Sequence, residues 1–128
     1  MNQLSFMKSI KHYDIGYADI FIFKLYLIVQ VKEGYSVEVD DIDIFHALIE
    51  NHFSDQKFIY ISNRVYSYSV NPLIYPKVAA VENLIGMAVV ADNGIKIKTA
   101  SFEKNFLSKP FIICSTLDEA IIWASQQF

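Results

Sequence analysis

Cysteine and arginine each occur once in this chain, at Cys114 and Arg64, and there are only four glycines and three prolines among 128 residues. A lone cysteine excludes an intrachain disulfide. Within the apolar run PFIIC it reads as a buried, unreactive thiol, which makes the cytoplasm the expected compartment. No glycine-rich loop follows any predicted strand, so a dinucleotide or P-loop site is not supported. Charge of one sign is never concentrated: ten lysines are scattered singly among fourteen acids, for a net charge of −3. That scatter counts against nucleic acid as a partner and against a basic membrane-binding helix. Long hydrophobic runs are missing as well. The longest, IFIFKLYLIVQV, is broken by Lys24 and falls short of the ~20 residues that a membrane helix needs, so no integral membrane segment is expected. The amino-terminal MNQLSFMKSIKHY has no uninterrupted apolar core, and it is not read as a signal peptide.

What is present is apolar and aromatic. Hydrophobic residues make up 53% of the chain and aromatics 15%, enough for one well-formed core, and residues 1–128 are expected to form a single domain. Between residues 10 and 31 the β-branched and aromatic residues predict two strands, joined antiparallel by a tight connection near Phe23 and Lys24. Asp40 or Asp41 then caps a helix whose inward face is Ile42, Phe45, Leu48, Ile49 and Phe53. KFIYIS reads as a strand covered on both faces. Asn71-Pro72 opens a second helix that runs to about Asn83, and Pro76, which lacks a backbone donor, implies either an irregular first turn or a regular helix that begins at Pro76 itself. GMAVVA is another buried strand. After it two readings compete: an Asn93-Gly94 hairpin with IKIK as edge strand, or a helix that starts near Asn93 and takes in Ile97, Ala100, Ser101, Lys104 and Phe106. PFIICS is the last strand, and Thr116 with Glu119 forms a capping box for a helix that packs through Leu117, Ala120, Ile121 and Ala124. Strands alternating with amphipathic helices imply parallel crossovers, hence an α/β domain with a mixed sheet.

Glu33-Gly34, the acids opening the first helix, FIYISNR, YSVNPLIY, GMAVV, SFEKNFLSKPF and LDEAIIWA together resemble the SpoIIAA-like proteins of the STAS superfamily, a family of small bacterial proteins, over nearly the whole chain. The resemblance implies a mixed sheet of four to five strands behind an amino-terminal antiparallel hairpin. It also implies three to four helices mainly on one side, and it favours helix over hairpin for residues 95–107. Some members of the superfamily are phosphorylated on a serine in an Asp-Ser-Ser-Gly turn. The matching place here is Ile61-Ser62-Asn63-Arg64, without the aspartate or the glycine, and Ser62 is the one residue carried over as a candidate for phosphorylation. Such proteins have also been likened to the CRAL-TRIO lipid-binding fold.

Candidate sites gather in FIYISNRVYSYSVNP, which leaves the end of a buried strand, where open α/β sheets place ligands. Arg64 is suited to gripping a carboxylate or phosphate, with Tyr66 and Tyr68 beside it; equally, it pairs with an acid of the fold while the tyrosines continue an extended segment. The candidate binding surface is therefore Ser62, Asn63, Arg64, Tyr66, Tyr68 and Tyr75. His46 and His52, six apart on one helix, are not an i, i+4 metal pair, and no metal or cofactor is expected. No base is visible for a nucleophile, so the chain is read as no enzyme. The expected function is a non-catalytic regulatory or protein-interaction module with a protein partner, a homodimer being one form of it. The alternative is a carrier domain for a small apolar ligand or lipid.

Overall fold

The structure, a computed structural model, describes residues 11–128. The sequence predicts two strands between residues 10 and 31; the structure has three, β1 (Lys11–Asp14), β2 (Ala18–Ile22) and β3 (Tyr26–Val31), paired as successive antiparallel hairpins. Ile10 lies outside the described residues. The additional turn is made by Gly16, whose φ of +92° suits a residue without a Cβ. Its N–H donates to Asp14 Oδ1 at 2.8 Å. The anticipated turn is closed by Phe23 N–H donating to the Tyr26 carbonyl at 2.9 Å.

The chain then runs β4 (Ser36–Val37), α1 (Ile42–His52), β5 (Phe58–Asn63), β6 (Ser69–Val70), α2 (Tyr75–Ala79), β7 (Leu84–Val90), α3 (Gly94–Glu103), β8 (Phe111–Cys114) and α4 (Leu117–Ser125). The main sheet has six strands in the order β1-β2-β3-β5-β7-β8, with β3, β5, β7 and β8 mutually parallel, one strand more than the upper expectation. A separate parallel pair, β4 with β6, was not anticipated: two-residue strands carry no readable period. It fastens the segment after β5 to the connection between β3 and α1.

Because β3, β5, β7 and β8 follow one another across the sheet without reversal, right-handed crossovers put α1, α2 and α3 on the same face. Alternation along the strands agrees. Leu27, Val29, Phe58 and Val89 meet Ile42 and Phe45 of α1, Tyr75 of α2 and Ala100 of α3. Ile28, Ile59, Ile61 and Ala88 turn the other way and are covered by Leu117, Ala120 and Ala124 of α4. The arrangement is thus a mixed sheet with three helices on one side and one on the other.

Local signals act where they were read. The Asn71 side chain accepts from Leu73 N–H at 3.0 Å, and the first turn, Pro72–Ile74, is a 3-10 turn before α2. The regular part of that helix stops at Ala79, short of Asn83. Asn93 accepts from Lys96 N–H at 3.0 Å, so residues 94–103 are helix rather than edge strand. Thr116 caps α4 by accepting from Glu119 N–H, and Glu119 reaches back to Ser115 N–H. Ala100 and Glu103 are buried, while Ile97, Ser101, Lys104 and Phe106 are exposed.

Gly86, in β7, lies under Trp123 of α4. A Cβ there would lie 3.0 Å from Trp123 Cη2 and 3.2 Å from the Pro110 carbonyl oxygen, and the latter is backbone that cannot swing aside. Gly86→Ala should therefore destabilise by about 1–3 kcal/mol, the usual cost of overpacking, read as a lower denaturant midpoint with an unchanged slope. A variant as stable as the parent would show that α4 is not seated this tightly.

Candidate functional site

β5 delivers Phe58, Tyr60, Ser62 and, one step beyond its end, Arg64 to the face covered by α1 and α2, because these residues share one parity of the strand. Asn63 has the opposite parity. Its amide donates to Gln30 Oε1 at 3.1 Å on the far side of the sheet, so it is not part of the cluster the others form.

Arg64 and Glu103 are 6% and 2% exposed and form a two-pronged ion pair, Nη1 donating to Oε2 and Nη2 to Oε1 at 2.8 Å. Tyr75, from α2, donates its hydroxyl to the same Oε1. On the other edge of the guanidinium, Nε donates to Ser62 Oγ at 3.1 Å, and Ser62 Oγ lies 2.9 Å from the Tyr68 hydroxyl. The Tyr68 ring sits beside the guanidinium, 5.4 Å from centroid to Cζ, a cation–π contact. Burial acts to lower the Arg64 pKa, but the facing Tyr68 oxygen, followed by the Glu103 carboxylate that its prongs bond, outweighs it and holds the guanidinium above its ordinary value.

Four of the six anticipated site residues, Ser62, Asn63, Arg64 and Tyr75, are therefore buried, with Tyr68 partly so, and only Tyr66, at 43%, stands exposed. Ser62 is 2% exposed and its oxygen is engaged twice, so a kinase would reach it only through local opening. Glu103 is the residue that sequence reasoning missed. With fourteen acids to choose from, nothing local selects the partner of Arg64. The histidines are apart: His52 Nε2 lies 2.6 Å from the Tyr13 hydroxyl, whereas His46 points to the space between α1 and α2. Among the described residues no three His, Cys, Asp or Glu side chains converge as metal ligands. Cys114 is buried, and burial pushes its pKa up, as expected for an inert thiol.

Removing one partner of a buried pair strands the other. Arg64→Leu should cost about 3–5 kcal/mol, and Arg64→Leu with Glu103→Leu should recover most of that loss. Equal destabilisation by the single and double variants in a denaturant cycle would mean that the two charges are not coupled. The phenols give a second test. Burial raises the pKa values of Tyr60, Tyr68 and Tyr75 above the ordinary 10.0, with the Glu103 charge adding to the effect at Tyr75. A raised folded pKa contributes stability that is complete below the unfolded value and is lost as pH rises through the folded one. Above pH 10.0 these phenols should ionise together with loss of near-ultraviolet circular dichroism; phenolate absorbance that develops fully while the dichroism persists would contradict it.

No family model matches the chain, and no curated protein does. Among solved structures it is similar to an uncharacterized protein of the DUF3478 family from Shewanella loihica PV-4, described as having a SpoIIAA-like fold, with a TM-score of 0.62 at 12% identity. The match covers 92% of this chain and 98% of that one. At that identity the likeness speaks to architecture, and it agrees with the strand order, the crossovers and the helix placement described above: the chain has a SpoIIAA-like α/β fold.

Proposed function

We propose that the chain is a non-catalytic regulatory or protein-interaction module of the STAS-like type. Its contact surface is the tip at Val65 and Tyr66 together with the outward side of α3 and the turn that follows. The observation that carries this is exposure of apolar side chains side by side: Ile95 is 81% exposed, Phe102 58%, Val65 44% and Phe106 40%. Lys96 Nζ donates to the Val65 carbonyl at 3.0 Å, which joins the tip to α3. The Phe102 and Phe106 rings lie 5.1 Å apart, one turn from each other. Covering such groups is favourable by roughly 25 cal/mol per Å² of apolar area.

Lys98 on α3 and Lys104 just after it are both exposed, while Glu103 is turned inward and matched by Arg64. The surface is therefore apolar and basic on a chain whose net charge is −3. A protein with an apolar groove and an acidic rim is the partner that such a surface complements. Ser62 enters as a switch. A phosphate there would set a dianion beside Arg64 in competition with Glu103, loosening the hold on α3.

Arg64 is a poor residue for testing this, because its loss unsettles the fold. A photo-crosslinking residue at position 95, with a control at Ile122 on α4, which is 59% exposed, avoids the core. Illumination in the host cell should give one discrete adduct from position 95 and none from 122. Lys98→Glu with Lys104→Glu should reduce it at least tenfold, and so should high salt. Adducts equal at both positions, or indifferent to charge reversal, would sink the assignment. An adduct of twice the chain's mass would replace the foreign partner with a second copy.

A further inference from the structure

Charge on this molecule is divided between its two flanks. Residues 33–56 carry seven of the fourteen acids and neither lysine nor arginine, whereas residues 93–109 carry four lysines and a single acid, Glu103, which is turned inward. These segments hold α1 and α3, which flank α2 in the helix layer because α1 follows β3 and α3 precedes the edge strand β8. The α3 surface described above therefore has its charge complement on the opposite flank of the same chain, where its own α3 does not cover it.

The outward side of α1 presents Asp43, Ala47 and Glu50 at helical spacing, with Ile44 beside them at 43% exposure. Asp40, just ahead of the helix, is exposed as well. Between α1 and α2 this stripe borders a surface groove of about 360 Å³, lined by the partly buried Ile49 and Val81 and by the exposed Glu50 and Glu82. At roughly 10–15 Å³ for one water, that is ample for an aromatic ring. Among the described residues, the ion pair that touches this set is Lys77 of α2 with Asp43, at 3.8 Å and with both side chains largely exposed. One such contact leaves the outward side of α1 negative.

We propose that the acidic side of α1, with the groove beside it, receives the apolar and basic α3 surface of a second copy of this chain. An aromatic ring from the Phe102 and Phe106 pair enters the groove, while Lys98 and Lys104 meet the acids of α1 and of the groove. The inference rests on the α3 surface proposed above as the partner-binding face, and it adds the regulation of that face. A copy docked there hides it, so a foreign partner has to displace the copy.

Sedimentation velocity of the purified chain, from micromolar to millimolar concentration at low salt, should give a sedimentation coefficient that climbs with concentration. Raising the salt to ~0.5 M should weaken this association about tenfold. Lys98→Glu with Lys104→Glu, and separately Asp43→Lys with Glu50→Lys, set like charges face to face, so each variant alone should stay monomeric. All four positions are exposed, and neither pair should disturb the fold. Mixed in equal amounts the two variants should associate again, because an acidic α3 then meets a basic α1, a recovery that misfolded chains cannot give. A parent that is monomeric throughout, association indifferent to salt or to either charge reversal, or a mixture no heavier than its components would overturn the inference. The crosslink from position 95 reads the other question. A foreign adduct there together with a monomeric parent would remove self-association and leave the α3 surface assigned, whereas association abolished by charge reversal, with no foreign adduct, would sustain self-association and remove the foreign partner.

Discussion

A buried guanidinium facing a buried carboxylate holds the upper half of this molecule together. Arg64 leaves the end of β5 and Glu103 the last turn of α3, and withdrawing two such ions from water costs several kcal/mol each. The arrangement offsets that cost with a two-pronged pair and two further hydrogen bonds. The two guanidinium prongs meet the two carboxylate oxygens, Tyr75 takes a further lone pair, and Ser62 occupies Nε. Three elements with little sequence proximity, the β5 exit, α2 and α3, are registered by one contact. A mispaired α3 would leave two charges unmatched, which disfavours alternatives far more than a misplaced leucine would.

That contact also explains the odd composition of α3. A helix lying on a sheet ordinarily turns its large apolar residues inward. Within α3 only Ala100 and Glu103 are buried, so the carboxylate supplies the attachment that apolar burial supplies for α1 and α4. The larger apolar side chains, Ile95 and Phe102, are free to point outward. Topology adds to this. The run of right-handed crossovers ends at β8, an edge strand, and carries α3 to the rim of the sheet, where no later element covers its outer side. The exposed apolar and basic surface thus follows from strand order and from one ion pair.

Signals that act over a few residues were legible in the sequence. The period of Ile42, Phe45, Leu48 and Ile49, the Asn71 and Thr116 caps and the apolar run of β5 each decide their own neighbourhood, and the structure agrees with them. Misreadings arise where the deciding contact is distant. Residues 94–103 alternate like a strand at Ile95 and Ile97, and what fixes the inward side of that helix is a bond between residues 39 apart. β4 and β6 exist only through each other, 33 positions apart in register. The extra hairpin is a different kind of miss, since Asp14 and Gly16 are turn residues in plain view. Parity was also available: Ser62 and Arg64 share a face that Asn63 does not, which is enough to divide the candidate surface in two.

The contrast between the two polar regions of this core bears on where function is to be sought. The aromatic segment around Arg64 draws attention by composition, yet its charge is matched within the fold and its polar groups bond one another, which leaves less for a ligand. His46 is unremarkable in sequence, and its Nε2 is buried without a hydrogen-bond partner among the described residues. An unsatisfied buried group costs about 1–3 kcal/mol against a typical total stability of about 5–15. Leucine at 46 would remove that cost.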